Sequence, residues 1–355
     1  MKKIDWVNST FLVLTPLLTL ILVPIYFWNY DMTWPIALLA VFFWKAAGLS
    51  ITAGYHRLFA HRSYEAKGWL KFLYLFFGAG AFQNSALKWC SDHRVHHRKV
   101  DTDQDPYSIK KGFAHAHIGW VMLKSEQEEC PYPPDLLKDK LVMFQHKYYL
   151  PMAAFAGFGL PLLLGWAFGD AFGGFLFAGL VRVVFVHHST FFVNSLAHYW
   201  GSKPYSLTDT ARDNPLVAFL TYGEGYHNFH HKFEADYRNG IKWYQYDPTK
   251  WWIKTMSWFG QTKSLRKVPD YKILQAKIEI QFQKLKDAGA NISQLQTMKE
   301  SIEETQKKIR QISLQLEKMK ENAELELELQ LAKIEFRARM KQWKLCISRM
   351  QSQYA

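Results

Sequence analysis

Histidine is the residue whose spacing carries chemistry in this chain. The sequence holds 14 histidines, and most stand in patterned groups. His56 and His61 flank HRLFAH, while His93, His96 and His97 make HRVHH. His198 closes NSLAH, and His227, His230 and His231 make HNFHH. Neutral imidazole is a ligand for iron, zinc, copper or nickel. On an α-helix, positions i, i+3 and i+4 share a face, so each HxxHH aims three imidazoles at one side. Asn194 and His198 repeat the i, i+4 relation. His56 and His61, five apart, diverge by about 140° on a helix of about 3.6 residues per turn, so the expectation is a helix that ends between them. Nine imidazoles at one place repel when protonated and exceed the coordination of one ion, so two metals are implied. His146, His115 and His117 read as ordinary hydrogen-bonding residues, and the His187–His188 doublet lies inside an apolar run with its role open.

Other chemistries lack their signatures. There is no EF-hand loop, HExxH helix, phosphate-binding glycine loop, GxSxG elbow or CxxCH haem site. A carboxylate di-iron bundle needs paired ExxH motifs, which the apolar helices lack. Cys90, Cys130 and Cys346 are odd in number and widely spaced, which suits a reducing compartment rather than a disulfide framework. The net charge of +13 suits anionic lipid or an acidic redox partner beside the long apolar runs, and no nucleic acid is expected.

The elements that position the histidines are apolar helices. A bilayer span needs about 20 apolar residues. Residues 10–27 and 34–55 form one such pair, and residues 150–168 and 171–200 form another, with its tip at Gly169–Asp170. Lys2 and Lys3 precede the first run and no small-residue cleavage site follows, so an uncleaved first helix is expected. Neither tip carries Lys or Arg, whereas the N-terminus, residues 56–149 and the chain after Gly201 are rich in both. The positive-inside rule then places both termini and the histidines in the cytoplasm. Trp69–Leu87, with Gln83, Asn84 and Ser85, reads as an interfacial or shallow re-entrant helix. Lys45 and Arg182 fall mid-span and are expected to face the bundle interior and bond carbonyls. The expected fold is an all-α, multi-pass integral membrane protein, with four transmembrane helices in two hairpins and a cytosolic histidine-rich cap.

Past this body, expected over residues 1–260, come a linker with a short helix (261–294) and a coiled-coil tail (295–355). Leu295, Met298, Ile302, Thr305, Ile309, Ile312, Leu316, Met319 and Ala323 alternate spacings of three and four, which is a heptad seam. Beyond Ala323 the phase slips, with Leu327, Leu331, Ile334 and Ala338 less regular. Such a seam is an assembly device, for a homo-oligomer or a partner.

The boxes HRLFAH, HRVHH, NSLAH and GEGYHNFHH resemble those of the membrane fatty acyl desaturases, of the acyl-CoA Δ9 (stearoyl-CoA) type. Gly48–Tyr55, DTDQDP, GFAHAHIGW, ARDNP and DYRNGIKWYQYDPTKW support the likeness, which covers residues 34–259. The resemblance implies a cytosolic di-iron centre with His56, His61, His93, His96, His97, His198, His227, His230 and His231 as ligands. Asn194 would reach one metal through water. It also implies two iron ions, O2 as co-substrate, a fatty acyl-CoA or acyl-lipid substrate, and removal of two hydrogens to leave a cis double bond. The HPGG signature of a fused cytochrome b5 does not occur in these residues. A separate donor of ferredoxin or cytochrome b5 type is therefore expected. Arg57, Arg94, Arg98, Lys99, Lys110 and Lys111 surround the boxes and are candidates to attract an anionic headgroup. Trp44, twelve residues before His56, is the candidate floor of the acyl tunnel, with Gly48 leaving room above it. The competing readings are a di-iron alkane or lipid hydroxylase and a membrane metal transporter or scaffold. Transporters place ligands near the bilayer midplane, whereas these ligands gather at one face.

Overall fold

The apolar runs form helices of the length that their composition asks for. The computed structural model describes residues 3–124, 131–319 and 322–354, so Lys2, Cys130 and Ala355 lie outside the described residues. Among the described residues four helices are long and apolar enough to cross a membrane: α1 (Trp6–Asn29), α2 (Trp34–Ala60), α5 (Tyr149–Ala167) and α6 (Ala171–Tyr199). Between α2 and α5 lie α3 (Gly68–Ala79) and α4 (Ala86–Lys99). After α6 come the short α7 (Pro215–Leu220) and α8 (His227–Lys232), then α9 (Pro248–Trp258). Local chemistry sets the boundaries. The Asp5 carboxylate accepts the Asn8 amide at the start of α1, and Asn214 with Pro215 opens α7.

These helices belong to one compact unit, Met1–Lys203 with Thr208–Lys267. Within it α6 is the hub, packing along α1, α2 and α5. Tyr26, Ile36, Leu176 and Leu180 bury one contact zone, and Leu39, Phe43 and Ala178 bury the next. At 12 residues α3 is too short to span. It ends before a turn where Phe82 and Asn84 take positive φ angles, so the stretch expected as one helix over Trp69–Leu87 is two helices, α3 and the start of α4. Arg182 is fully buried and donates to the carbonyls of Ala178, Gly80 and Gly157, tying this turn to α5 and α6. That matches the expectation for a mid-span cation. Lys45 differs, because its ammonium lies over the Trp44 ring at 4.0 Å and the Tyr222 ring at 5.4 Å.

The second unit is Pro204–Leu207 with Val268–Ala355, so its boundary falls at Val268 rather than at residues 261 and 295. It contains α10 (Asp270–Asp287), α11 (Ser293–Lys318) and α12 (Ala323–Tyr354). The heptad seam lies on α11, where Leu295, Ile302, Thr305 and Ile312 are buried. Its cover comes from the same chain: Leu295 and Ile302 join Ile278 and Phe282 of α10 and Trp343 and Ile347 of α12 in one core. Arg339 meets Ser301 while Lys308 meets Glu328, so α11 and α12 run antiparallel. The loss of heptad phase therefore marks a reversal of the chain, not an irregular continuation of one rod.

Candidate metal centre

Five of the patterned histidines converge in one group and four in another. His56, His61, His93, His97 and His230 form the first; His96, His198, His227 and His231 form the second, with each group's ligand atoms within 4.8 Å of one another. In the first, Nε2 of His61 lies 2.8 Å from that of His93, and Nε2 of His230 lies 3.0 Å from that of His56 and 3.1 Å from that of His97. In the second, Nε2 of His227 lies 3.1 Å from that of His198 and 3.0 Å from that of His231.

The backbone explains this convergence, and it corrects one expectation. The last eleven residues of α2, Ser50–Ala60, are π-helical, and the His61 amide donates to the His56 carbonyl at 3.0 Å. A five-residue hydrogen-bonded turn brings positions i and i+5 together, and the two rings stand 4.8 Å apart. The helix ends at Ala60, between the two histidines as expected, and its widened last turn is what brings them together. Each HxxHH also serves both groups rather than one. On α4, His93 and His97 enter the first group and His96 the second, while on α8, His227 and His231 enter the second and His230 the first. The i, i+4 pair goes to one group and the i+3 residue to its neighbour. His198 follows a break in α6 at Ser195, whose hydroxyl donates to the Phe191 carbonyl.

Four of the outer nitrogens are held by acceptors, whereas Nδ1 of His227 is buried without a partner among the described residues. Nδ1 of His56 bonds Glu224 at 2.9 Å, that of His96 bonds Asp105 at 2.9 Å, and that of His97 bonds Glu234 at 3.2 Å. Nδ1 of His198 donates to the Thr210 hydroxyl, which in turn donates to Asp101. A proton fixed on Nδ1 leaves the Nε2 lone pair pointing inward. Inward lone pairs about 3 Å apart repel, and a cation between them removes the repulsion, so the donor set fits metal ions. Burial, then the neighbouring imidazoles, hold His61, His93, His227, His230 and His231 well below the usual histidine range. Burial likewise lowers His97 to about 4, although Glu234 works against it. Neutral rings are the form that binds metal.

Behind His56, burial alone would raise the Glu224 pKa, but Arg57 and His56 override it and hold the carboxyl at about 2. Arg57 is 1% exposed and bridges Glu224 and Asp247, so it braces the site instead of facing a headgroup.

Beside the first group runs a cavity of about 1080 Å³. Its lining follows α2 from Gly48 through Ile51 and Thr52 to His56, and α6 from Val186 to Asn194, and it includes His93, Glu224 and Tyr222. Trp89 donates to Gln83, and Gln83 donates to Thr190, across its middle. Asp5, Lys88, Asp92, Asp103, Lys111 and Lys124 add charge to the lining. Of the cations singled out in the sequence, Lys111 lines the cavity, whereas Arg94 is committed to Asp135 and to the Phe59 and Ala60 carbonyls. Arg98 and Lys110 are exposed and not part of the lining. Asn194 and Gly48 line the cavity, but Trp44 does not; its carbonyl accepts the Tyr222 hydroxyl and its ring packs on that of Tyr222. His187 lines the cavity and bonds the Ala81 carbonyl, while His188 pairs with His117 at 3.0 Å.

The sequence reading did not assign roles to Glu224, Asp105, Asp101 and Glu234, or to Lys88, Lys124 and Tyr222. The first three stand in stretches already picked out, GEGYHNFHH and DTDQDP, as carboxylates beside the boxes.

Comparison with known proteins is consistent across the first unit. The family model described as "Fatty acid desaturase" matches residues 32–257. The chain is 47% identical over 251 residues to "Probable acyl-CoA desaturase" of Schizosaccharomyces pombe, covering 70% of this chain and 52% of that one. It is 42% identical over 259 residues to "Acyl-CoA desaturase 1" of Saccharomyces cerevisiae, covering 72% and 51%. It is 33% identical over 281 residues to "Acyl-CoA Delta(11) desaturase" of Trichoplusia ni, covering 77% and 80%. The chain thus spans about half the length of the two fungal relatives.

Proposed function

Because this chain belongs to the fatty acid desaturase family, we propose that it is an O2-dependent acyl-CoA desaturase, an oxidoreductase that places a cis double bond at carbon 9 of a saturated chain. The observation that carries this reading is the pair of buried imidazole groups, the first of which borders a long cavity through His56 and His93. Nothing near a mid-chain methylene acidifies its C–H bonds, so proton chemistry by side chains does not suffice. Two iron ions held by the two histidine groups would supply the O2-reducing chemistry that the protein lacks. The balance is one acyl CH2–CH2, one O2, two electrons and two protons, giving CH=CH and two waters. The electrons come from a donor of ferredoxin or cytochrome b5 type.

The chain's own residues supply position and environment. His56 and His93 border the cavity, so an acyl chain lying in it passes the first group. The hydrogen-bonded run Trp89–Gln83–Thr190 stiffens the wall beside them, and a fixed wall selects which carbons face the histidines. Asn194 lines the cavity one turn before His198, and we assign it a water-mediated place at the second group, which has four imidazoles against five. Lys88, Lys111 and Lys124 are placed to meet the anionic coenzyme A, with the histidine face cytoplasmic by the charge bias.

Expression in a host deprived of its own desaturase tests the reading, with double-bond positions located by mass spectrometry and metal measured on the purified protein. Unsaturation at carbon 9 with about two irons per chain is expected. Hydroxylated products would assign the related oxygen-inserting chemistry, and no iron would overturn the proposal.

A further inference from the structure

At Gly48, the first α2 residue of its lining, the cavity meets a side chain from outside the transmembrane helices, that of Tyr222. An ideal Cβ built on Gly48 would lie 2.1 Å from Cζ of Tyr222, so the tyrosine ring fills the place that any side chain at position 48 would take. Tyr222 follows α7 in a turn and has φ 55°, a left-handed conformation that costs a non-glycine residue energy and persists only where surroundings impose it. Three elements impose it here. The Tyr222 hydroxyl donates to the Trp44 carbonyl on α2 at 3.0 Å, and its carbonyl accepts the Thr249 hydroxyl of α9 at 2.9 Å. Next to it, the Leu220 carbonyl accepts Ser189 of α6 at 2.6 Å. The side chain is buried, lines the cavity, and hides Trp44 behind it.

We infer that Tyr222 is the plug that sets the longest acyl chain this protein accepts, with Gly48 as the socket for its ring. The inference rests on the acyl occupant proposed above. Gly48 lies eight residues before His56 on the same helix, more than a full turn away, so the plug limits the part of the chain beyond the first histidine group. It leaves the register between headgroup and histidines untouched.

The test uses the full chain in detergent, as wild type, Tyr222→Val and Trp44→Ala. Each protein is given saturated acyl-CoAs of increasing length, and two quantities are read for each length: the thermal shift on binding and the double-bond product. For Tyr222→Val, both series should move to longer chains by about tenfold in preference per added methylene, the order of discrimination apolar pockets achieve, with the bond position unchanged. Trp44→Ala should keep the wild-type profile. If valine impairs folding, Tyr222→Leu trims the ring while keeping an apolar fill and gives the same shift in milder form. An active wild type with unchanged series in the Tyr222 variants overturns the plug and leaves the desaturase reading standing. An inactive wild type that still shows the length-dependent shift in binding does the reverse. If no acyl-CoA stabilises or is converted, both fall.

Discussion

His61 donates its backbone amide to the carbonyl of His56, at 3.0 Å, across a five-residue turn. This bond converts two side chains that an α-helix would spread apart into neighbours in one cluster. Inserting an alanine after Leu58 would lengthen the interval to six, which the five-residue turn cannot close, while leaving α2 helical. The expected result is loss of metal from the first group with helix content unchanged by circular dichroism. Retention of the full metal load would show that the π-helical turn is not what seats His61.

The split of each HxxHH between two groups gives a sharper outcome. His97→Ala removes a ligand from the first group and His231→Ala one from the second. Each should lower bound metal from about two ions to about one and abolish desaturation. Combining them should remove nearly all metal. If either single change empties both groups, the groups do not load separately.

Glu224→Gln tests the outer contacts. The carboxylate accepts from Nδ1 of His56 and pairs with buried Arg57. The amide removes the charge and loosens the tautomer of His56, which should weaken metal binding about 10- to 100-fold. Leaving Arg57 less compensated should destabilise the unit by about 3–5 kcal/mol. A metal titration and a melting curve report the two effects independently.

Acid should undo the cluster well before it protonates the histidines in place. His97 titrates at about 4 and five others lie well below the usual range, against about 6.5 in the unfolded chain. Between these values the unfolded state binds more protons, so stability rises with pH there. It is full above about pH 6.5 and falls as pH drops toward 4. Melting temperatures of metal-stripped protein across that window should decline steadily; a flat profile would contradict the burial of neutral rings.

Trp343 is 1% exposed in the core of the second unit, and its indole donates to Gln281. Trp343→Ala should cost that unit about 3–5 kcal/mol and open residues 268–354 to protease. Metal content, which depends on the first unit, should stay unchanged. Loss of metal on this substitution would mean that the histidine site needs the tail.

Much of this was legible because helical periodicity and hydropathy are local signals. The four apolar helices and the grouping of the boxes follow from spacing alone, whereas the break between α3 and α4 inside Trp69–Leu87 does not. What escaped was non-local. The ring of His61 is placed by a widened helix whose hydrogen bonds leave no mark in residue spacing. Which imidazole joins which group depends on how α4 and α8 face each other, not on either helix. The seam at Leu295–Ile312 announces that a helix must cover it but not which one, and α12 of the same chain takes the place. Trp44 is the larger side chain, yet the cavity meets Tyr222 first, because the turn after α7 inserts it between them.

The exchange of ligands between α4 and α8 also sets the order in which the protein is made. The first group is incomplete without His230, which lies 133 residues beyond His97. The second joins His96 to His198, His227 and His231. While the ribosome is still translating α6, neither group has its full set of ligands, however well the earlier helices are already seated. Any metal the groups hold would have to wait until α8 has emerged, and the two groups complete within a codon of each other, at His230 and His231. A shortage of metal at that point would leave the four apolar helices already made and both histidine groups empty.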